Sequence, residues 1–318
     1  MRKSSILFLF LLLGFMFMPN VVKADNSDIE PNDSKSDASL INVGITYGGK
    51  IDDSADDNAD FYKIKLKEGD FYKITISTKE EQKEHWGNVH MYLSYDSDTD
   101  SDEDIKAGYD TSMSISKLFQ PRYTGIHYLE VYCYNGADYS FVVEKFDPFG
   151  MKLKDDDANV YMITGNDTLE FSKASSKNMS DYVLEFRVDF SYIDGIRLLN
   201  DAYFTVTSIG ENALEGCNFK NLTLHDNIDY IDSYAFKNCK KLETVWIEGK
   251  DVTINNNAFY NCSKLRILGL EKGASLEYVG KNALKGTKTG IKIFTPNKKK
   301  YKKMFKKSGA KKPKYKKA

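Results

Sequence analysis

Asp28, Glu30, Asn32 and Asp33 place four oxygen ligands within six residues, and Asp57 and Asp60 lie three apart just ahead of an alternating segment. Calcium takes six to eight hard oxygens, several of them carboxylates. Carboxylates crowded this closely repel one another unless a cation lies between them. Calcium is therefore the expected cofactor, with a solvated acidic turn as the competing reading. The run Asp96–Asp104 is different. Read as an EF-hand loop, it would carry Ser101 where that loop needs Gly and Ala107 where it needs Glu. It is expected to be an acidic loop between strands.

Side chains suited to catalysis are scattered. The histidines are His85, His90, His127 and His225, with no Glu pair at metal-ligand spacing, and His85 and His90 are five apart in a region without helical pattern. There is no Gly-x-Ser-x-Gly elbow, phosphate loop or Cys/His arrangement. No catalytic residue is assigned, and the chain is expected not to be an enzyme. Paired carboxylates on sheets carry no sequence motif, so the expectation rests mainly on the two modules that fill the chain.

The elements that must position these residues begin after an export signal. Arg2 and Lys3 precede an apolar run from Ile6 to Met18, then Pro19 and the small-residue pattern Val22-Lys23-Ala24. A run of this length is too short to span a bilayer about 30 Å thick. It reads as a signal peptide, residues 1–24, cleaved after Ala24. No second apolar stretch could cross a membrane, and no Leu-Pro-x-Thr-Gly sorting signal is present. The expected location is secreted or extracellular, with association to the cell wall as an extension of it.

Residues 25–147 read as short strands. Ile45, Tyr47, Gly49 and Ile51 alternate, Phe61–Leu66 runs into the turn Glu68-Gly69-Asp70, and Tyr72–Ile76 follows at once. Further strands are expected at Val89–Tyr95, Ile126–Tyr134 and Tyr139–Val143, with Cys133 on the same face as Leu129 and Val131. Turn signals at this spacing predict an antiparallel sandwich or barrel. The phrases Asp28-Ile29-Glu30-Pro31-Asn32-Asp33, Gly49-Lys50-Ile51, Asp60-Phe61-Tyr62-Lys63-Ile64 and Gly125-Ile126-His127-Tyr128-Leu129 resemble the bacterial pre-peptidase C-terminal domain. The resemblance implies a non-catalytic, jelly-roll-like sandwich appended to secreted proteins. It also implies calcium ligation at the six positions above, with Asp28 standing where collagenase domains carry the longer Glu.

A repeat follows. Ile209-Gly210-x-x-Ala213-Leu214-x-x-Cys217 recurs at Ile231…Cys239 and Ile254…Cys262, and decays to Val279-Gly280-x-x-Ala283-Leu284. The apolar pairs Leu222/Leu224, Val245/Ile247, Leu268/Leu270 and Ile291/Ile293 step by 23 residues, the mark of a solenoid. Cys217, Cys239 and Cys262 share one repeat position, so they are expected to form a buried, unpaired ladder. Val206–Ala213 and Phe236–Leu242 resemble the BspA-type leucine-rich repeat of bacterial surface proteins, which implies adhesion or ligand binding without catalysis. Residues 201–295 form this array, 148–200 are expected to link and cap it, and 296–318 form a Lys-rich capping tail. In that tail Tyr301, Met304 and Phe305 recur at helical spacing.

The overall fold class is thus mainly β, a sandwich followed by a short solenoid. Alternation along each repeat strand turns Thr223, Trp246, Gly269 and Lys292 outward. Asn221, Thr244, Ile267 and Gly290 form the column before them, and His225, Glu248, Glu271 and Phe294 the column after. Trp246 and Ile267 are the expected ligand contacts, with Glu248 and Glu271 orienting the ligand. That ligand is expected to be a protein or glycan on a cell or matrix surface. Asn297–Ala318 holds 12 lysines and no acid, which leaves residues 25–296 at a net charge of −16. This segregation is no nucleic-acid footprint; it suggests contact with an anionic cell wall through the tail. The alternative function is an accessory module that docks, or assists secretion of, a separate hydrolase or protease.

Overall fold

A computed structural model describes residues 32–51, 59–78, 89–95, 102–107 (backbone only), 113–133, 136–178 and 187–318. The signal segment, Asp28, Glu30, Asp57, His85 and the loop at 96–101 lie outside these. The first part is built from β1 (Ser39–Ile41), β2 (Thr46–Ile51), β3 (Ala59–Leu66), β4 (Phe71–Thr78), β5 (Val89–Tyr95), β6 (Asp102–Ala107), β7 (Ser114–Phe119), β8 (Gly125–Tyr132) and β9 (Ala137–Phe146). One sheet runs β1-β3-β8-β5-β6, and the facing one runs β7-β4-β9-β2. Alternation decides which side chains lie between them. In β3, Asp60, Tyr62, Ile64 and Leu66 are buried, and in β8, His127, Leu129 and Val131. Cys133 joins the same core. The turn between β3 and β4 carries the chain from one sheet to the other, with Gly69 at φ +76°, a conformation that favours glycine.

Residues 148–200 are folded wherever they are described. They supply β10 (Lys152–Lys154), β11 (Val160–Ile163), β12 (Thr168–Lys173), β13 (Arg187–Ile193) and the start of β14 (Ile196–Ile209). The long β14 joins the two halves. It meets β7 at Leu198↔Leu118, β12 over Thr205–Ile209, and the first solenoid coil at Ser208–Ile209. The second sandwich sheet thus continues into the solenoid as one 12-stranded sheet. The cores interpenetrate there as well. Phe71 and Leu118 pack into the solenoid cluster, Leu199 packs into the sandwich cluster, and Phe71 stacks on Phe204 at 6.0 Å.

The solenoid contains β15 (Asn221–Leu224), β16 (Tyr230–Ile231), β17 (Thr244–Ile247), β18 (Val252–Ile254), β19 (Ile267–Leu270), β20 (Leu276–Val279), β21 (Lys292–Thr295), the helix α1 (Lys298–Met304) and β22 (Lys314–Lys317). Parallel ladders β15-β17-β19-β21-β22 and β14-β16-β18-β20 form its two walls. The Ala-x-x-x-Cys turns lie between the walls and bond coil to coil: Leu214 N–H to Ala235 O at 2.9 Å, Phe236 to Ala258 at 2.8 Å, Phe259 to Ala283 at 2.9 Å. Phe236 and Phe259 stack almost parallel, 4.9 Å apart. All four cysteines are buried and none is in a disulfide. The Sγ of Cys239 donates to Leu214 O and that of Cys262 to Phe236 O, at 3.1 and 3.0 Å.

The expected 23-residue step holds for β15, β17 and β19 but not for the last rung. Leu268 pairs with Ile293, not Ile291. Ala258 and Ala283 are already 25 apart, so this coil holds two extra residues. A slip of two leaves the same side of the strand facing inward, which is why the apolar pattern alone did not expose it. The tail folds as one more coil. Asn297 caps α1 by accepting from Lys300 N–H at 3.0 Å, and Tyr301 and Phe305 are buried. The Leu284 N–H donates to Ser308 O at 2.7 Å, continuing the coil-to-coil ladder.

Candidate functional site

The outer face of β15-β17-β19-β21-β22 is a shallow five-stranded surface with two central rows. The first runs Asn221, Thr244, Ile267, Lys292, Lys314, and the second Thr223, Trp246, Gly269, Phe294, Lys316. Their alternate neighbours Leu222, Val245, Leu268 and Ile293 are buried, so the rows themselves point out. Gly269 determines how Trp246 lies. A methyl built on this glycine would overlap the six-membered ring of the indole, so the ring rests directly on the backbone of β19. From there it reaches Phe294, with centroids 5.7 Å apart and planes at 38°. Trp246, Ile267 and Phe294 are each half-buried, whereas Lys292, Lys314 and Lys316 are exposed. Thr244 donates its hydroxyl to Asn221 Oδ1 at 2.7 Å, tying β17 to β15 within the first row.

Of the four expected contact residues, Trp246 and Ile267 stand diagonally on adjacent strands of this face. Glu248, following β17, holds His225 Nδ1 at 3.1 Å, and Glu271, following β19, is exposed. Two placements differ from expectation. Lys292 belongs beside Ile267, and Phe294 stands beside Gly269 in the Trp246 row instead of the Glu248 column. Both follow from the two extra residues of the fourth coil, a signal readable in the Ala258–Ala283 spacing. Lys314 and Lys316 were not anticipated on this face, because Lys-Tyr-Lys-Lys has no apolar alternation to mark it as a strand.

In the sandwich, Asn32 and Asp60 are fully buried and Asp33 is exposed. The Asn32 carbonyl accepts from Phe61 N–H at 2.8 Å, which brings the Asn32-Asp33 segment against the start of β3 where Asp60 sits. Asp60 Oδ2 accepts the hydroxyl of Tyr139, which also meets the hydroxyl of Tyr62. Burial, with the neighbouring Tyr62 and Asp60 adding to it, holds the Tyr139 phenol far above its ordinary range, so it remains a donor. The buried oxygens of Asn32 and Asp60 are of the hard type calcium prefers. An aromatic group that the sequence did not reveal lies on the outer face of the β1-β3-β8-β5-β6 sheet. His90 stacks on Tyr132 at 4.7 Å, and Tyr92 on Tyr132 at 5.4 Å. Antiparallel pairing of β5 with β8 sets His90 opposite Tyr132, a relation only the register reveals.

Burial sets the direction of the shifts at His127, Cys217 and Cys262. It lowers the pKa of His127, and the Gly125 carbonyl 3.3 Å from Nδ1 opposes it only partly. It pushes Cys217 up to about 12 and Cys262 well above the ordinary thiol value, so these sulfurs are poor nucleophiles. Among the described residues, no helix is long and apolar enough to cross a membrane.

Residues 198–310 match the family model of the BspA type leucine rich repeat region in six copies. Comparison with curated proteins gave no match. Among solved structures, the chain is similar to the pre-peptidase C-terminal domain of a Bacillus anthracis collagenase, at 20% identity over 34% of this chain and 94% of that one, TM-score 0.28. It is also similar to a leucine-rich repeat protein from Bacteroides capillosus, at 19% identity over 52% and 99%, TM-score 0.36. A third similarity is to the pneumococcal vaccine antigen PcpA, at 13% identity over 53% and 49%, TM-score 0.30.

Proposed function

We propose that this chain, a β-sandwich fused to a BspA-type leucine-rich repeat solenoid, is an exported, non-catalytic binding protein that attaches to a cell or matrix surface. The observation that carries this reading is the Trp246–Phe294 pair laid open on the face of a five-stranded sheet. Large, partly exposed aromatics held rigidly are the usual anchors of binding surfaces. Trp246 and Ile267 make the apolar contacts, and Glu248 and Glu271 orient polar groups of the ligand at the rim. Binding of the mature chain to cells and to matrix and glycan panels tests this. Trp246→Ala is expected to weaken attachment about tenfold, the loss typical of one anchoring aromatic, and to leave the melting curve nearly unchanged. Attachment that survives the substitution, or a variant that unfolds, rules out this face.

We further propose that the sandwich carries a structural calcium ion held by Asp28, Glu30, Asn32, Asp33, Asp57 and Asp60. Buried oxygen ligands at Asn32 and Asp60 support the reading. The ion's part would be to neutralise the crowded carboxylates and fasten the segment before β1 to β3.

A further inference from the structure

The tail contributes more than closure of the solenoid. By folding as α1 and then β22, it returns Lys314 and Lys316 to the binding sheet, in register with Lys292 and Phe294. Three exposed ammonium groups therefore stand around Phe294: Lys314 and Lys316 one strand spacing (about 5 Å) past it, and Lys292 two residues before it on its own strand. Along the strands, Glu248 and Glu271 follow the aromatic row, and Lys292 and Lys314 precede it. The face has a polarity: acidic acceptors, then flat rings, then cations.

From this arrangement, and resting on the binding face described above, we infer that the ligand of the sheet is an acidic polysaccharide. A sugar ring lies on Trp246 and Phe294, its carboxylate or sulfate faces Lys292, Lys314 and Lys316, and its hydroxyls donate to the glutamates. Three observations favour this class. The Trp246 ring lies against the backbone at Gly269 with Phe294 beside it, the two planes meeting at 38° in a shallow open trough, which suits the C–H face of a pyranose; a peptide side chain would need a pocket. The cations are ammonium groups on flexible stems, which follow the spaced anions of a polymer. Residues 25–296 carry a net charge of −16, so a polyanion is repelled by most of the protein and collects where the 12 tail lysines lie.

The test measures binding of the mature chain to heparin, with neutral dextran, polyglutamate and phosphatidylglycerol vesicles as comparisons. The variants are Trp246→Ala, Trp246→Phe, and the triple change Lys292→Glu, Lys314→Glu, Lys316→Glu, each checked for an unchanged thermal transition. Heparin is expected to bind and dextran not to bind. The triple change should remove heparin binding at least tenfold, Trp246→Ala should weaken it about tenfold, and Trp246→Phe should restore most of the loss. Affinity should fall with added salt, because the lysines are exposed. Heparin binding that ignores Trp246 would reduce the interaction to tail charge and overturn the inference. So would polyglutamate or vesicles that compete equally well and depend equally on Trp246. If heparin fails to bind while cell attachment still depends on Trp246, the ligand class is wrong and the binding face stands. If neither depends on Trp246, both readings fall.

Discussion

Gly269 shows how much one missing methyl can organise. It lets the Trp246 indole lie flat across β19 and touch Phe294. Gly269→Ala should lift the indole into solvent, seen as a red shift of its fluorescence and faster iodide quenching. Because the ring can swing outward, the stability loss should stay near 1 kcal/mol or less. An unshifted spectrum would mean the ring does not rest on that glycine. His127 makes a second residue-scale test. Its folded pKa lies below the usual 6.5 because burial disfavours the imidazolium. As pH falls through about 6.5, the unfolded chain takes up a proton that the native state refuses, so stability is lost in the window below 6.5 and is level above it. His127→Phe keeps a ring against Phe119 and Tyr95. It should flatten the fall in urea midpoint between pH 7 and pH 5; an unchanged slope would place that titration elsewhere.

At the scale of elements, the open end of the solenoid is the vulnerable point, since a parallel wall otherwise ends in an unpaired edge. The protein closes it twice. On one wall β22 adds a lysine-rich edge strand. On the other, α1 brings buried Tyr301 to β20, where its hydroxyl accepts from Leu276 N–H at 3.2 Å. Tyr301→Ala should destabilise by about 3–5 kcal/mol, the cost of deleting a buried aromatic. Tyr301→Phe removes only the hydrogen bond and should cost about 1 kcal/mol. Denaturant titration of both variants separates packing from hydrogen bonding. Equal losses would show that the helix is held by the hydroxyl alone.

For the whole molecule, the shared sheet makes sandwich and solenoid mechanically one body. With Phe71 and Leu118 in the solenoid core and Leu199 in the sandwich core, neither part can melt without exposing the other. The mature chain should therefore unfold in a single thermal transition by calorimetry. A ligand that binds only the folded state raises that transition, so excess calcium against chelator should shift the one peak upward as a unit. Two separated peaks would contradict the coupling, and an unmoved peak would remove calcium from the sandwich.

How much of this was legible beforehand follows from the range of the forces involved. Alternation along β3 and β8, the Ala-x-x-x-Cys turns of the repeats, the buried thiol ladder and the helical spacing of Tyr301 and Phe305 are local patterns. The side-chain periods of strand and helix impose them wherever an apolar side exists, and they show directly in the chain. The outward position of Trp246 and Ile267 belongs to the same class. Register is different, because it is a relation between strands distant in sequence. The two-residue slip that sets Phe294 beside Gly269 keeps the pleat in phase and so leaves the hydrophobic pattern unchanged. The pairing of His90 with Tyr132, the passage of β14 from one core into the other, and the return of a polar Lys-Tyr-Lys-Lys segment as β22 are likewise decided by backbone hydrogen bonds. The spacing of Ala258 and Ala283 betrays the extra residues of one coil, but backbone bonds carry no side-chain signature of their own, so only the folded chain, closing its ladders, brings Lys314 and Lys316 beside Lys292 and Phe294.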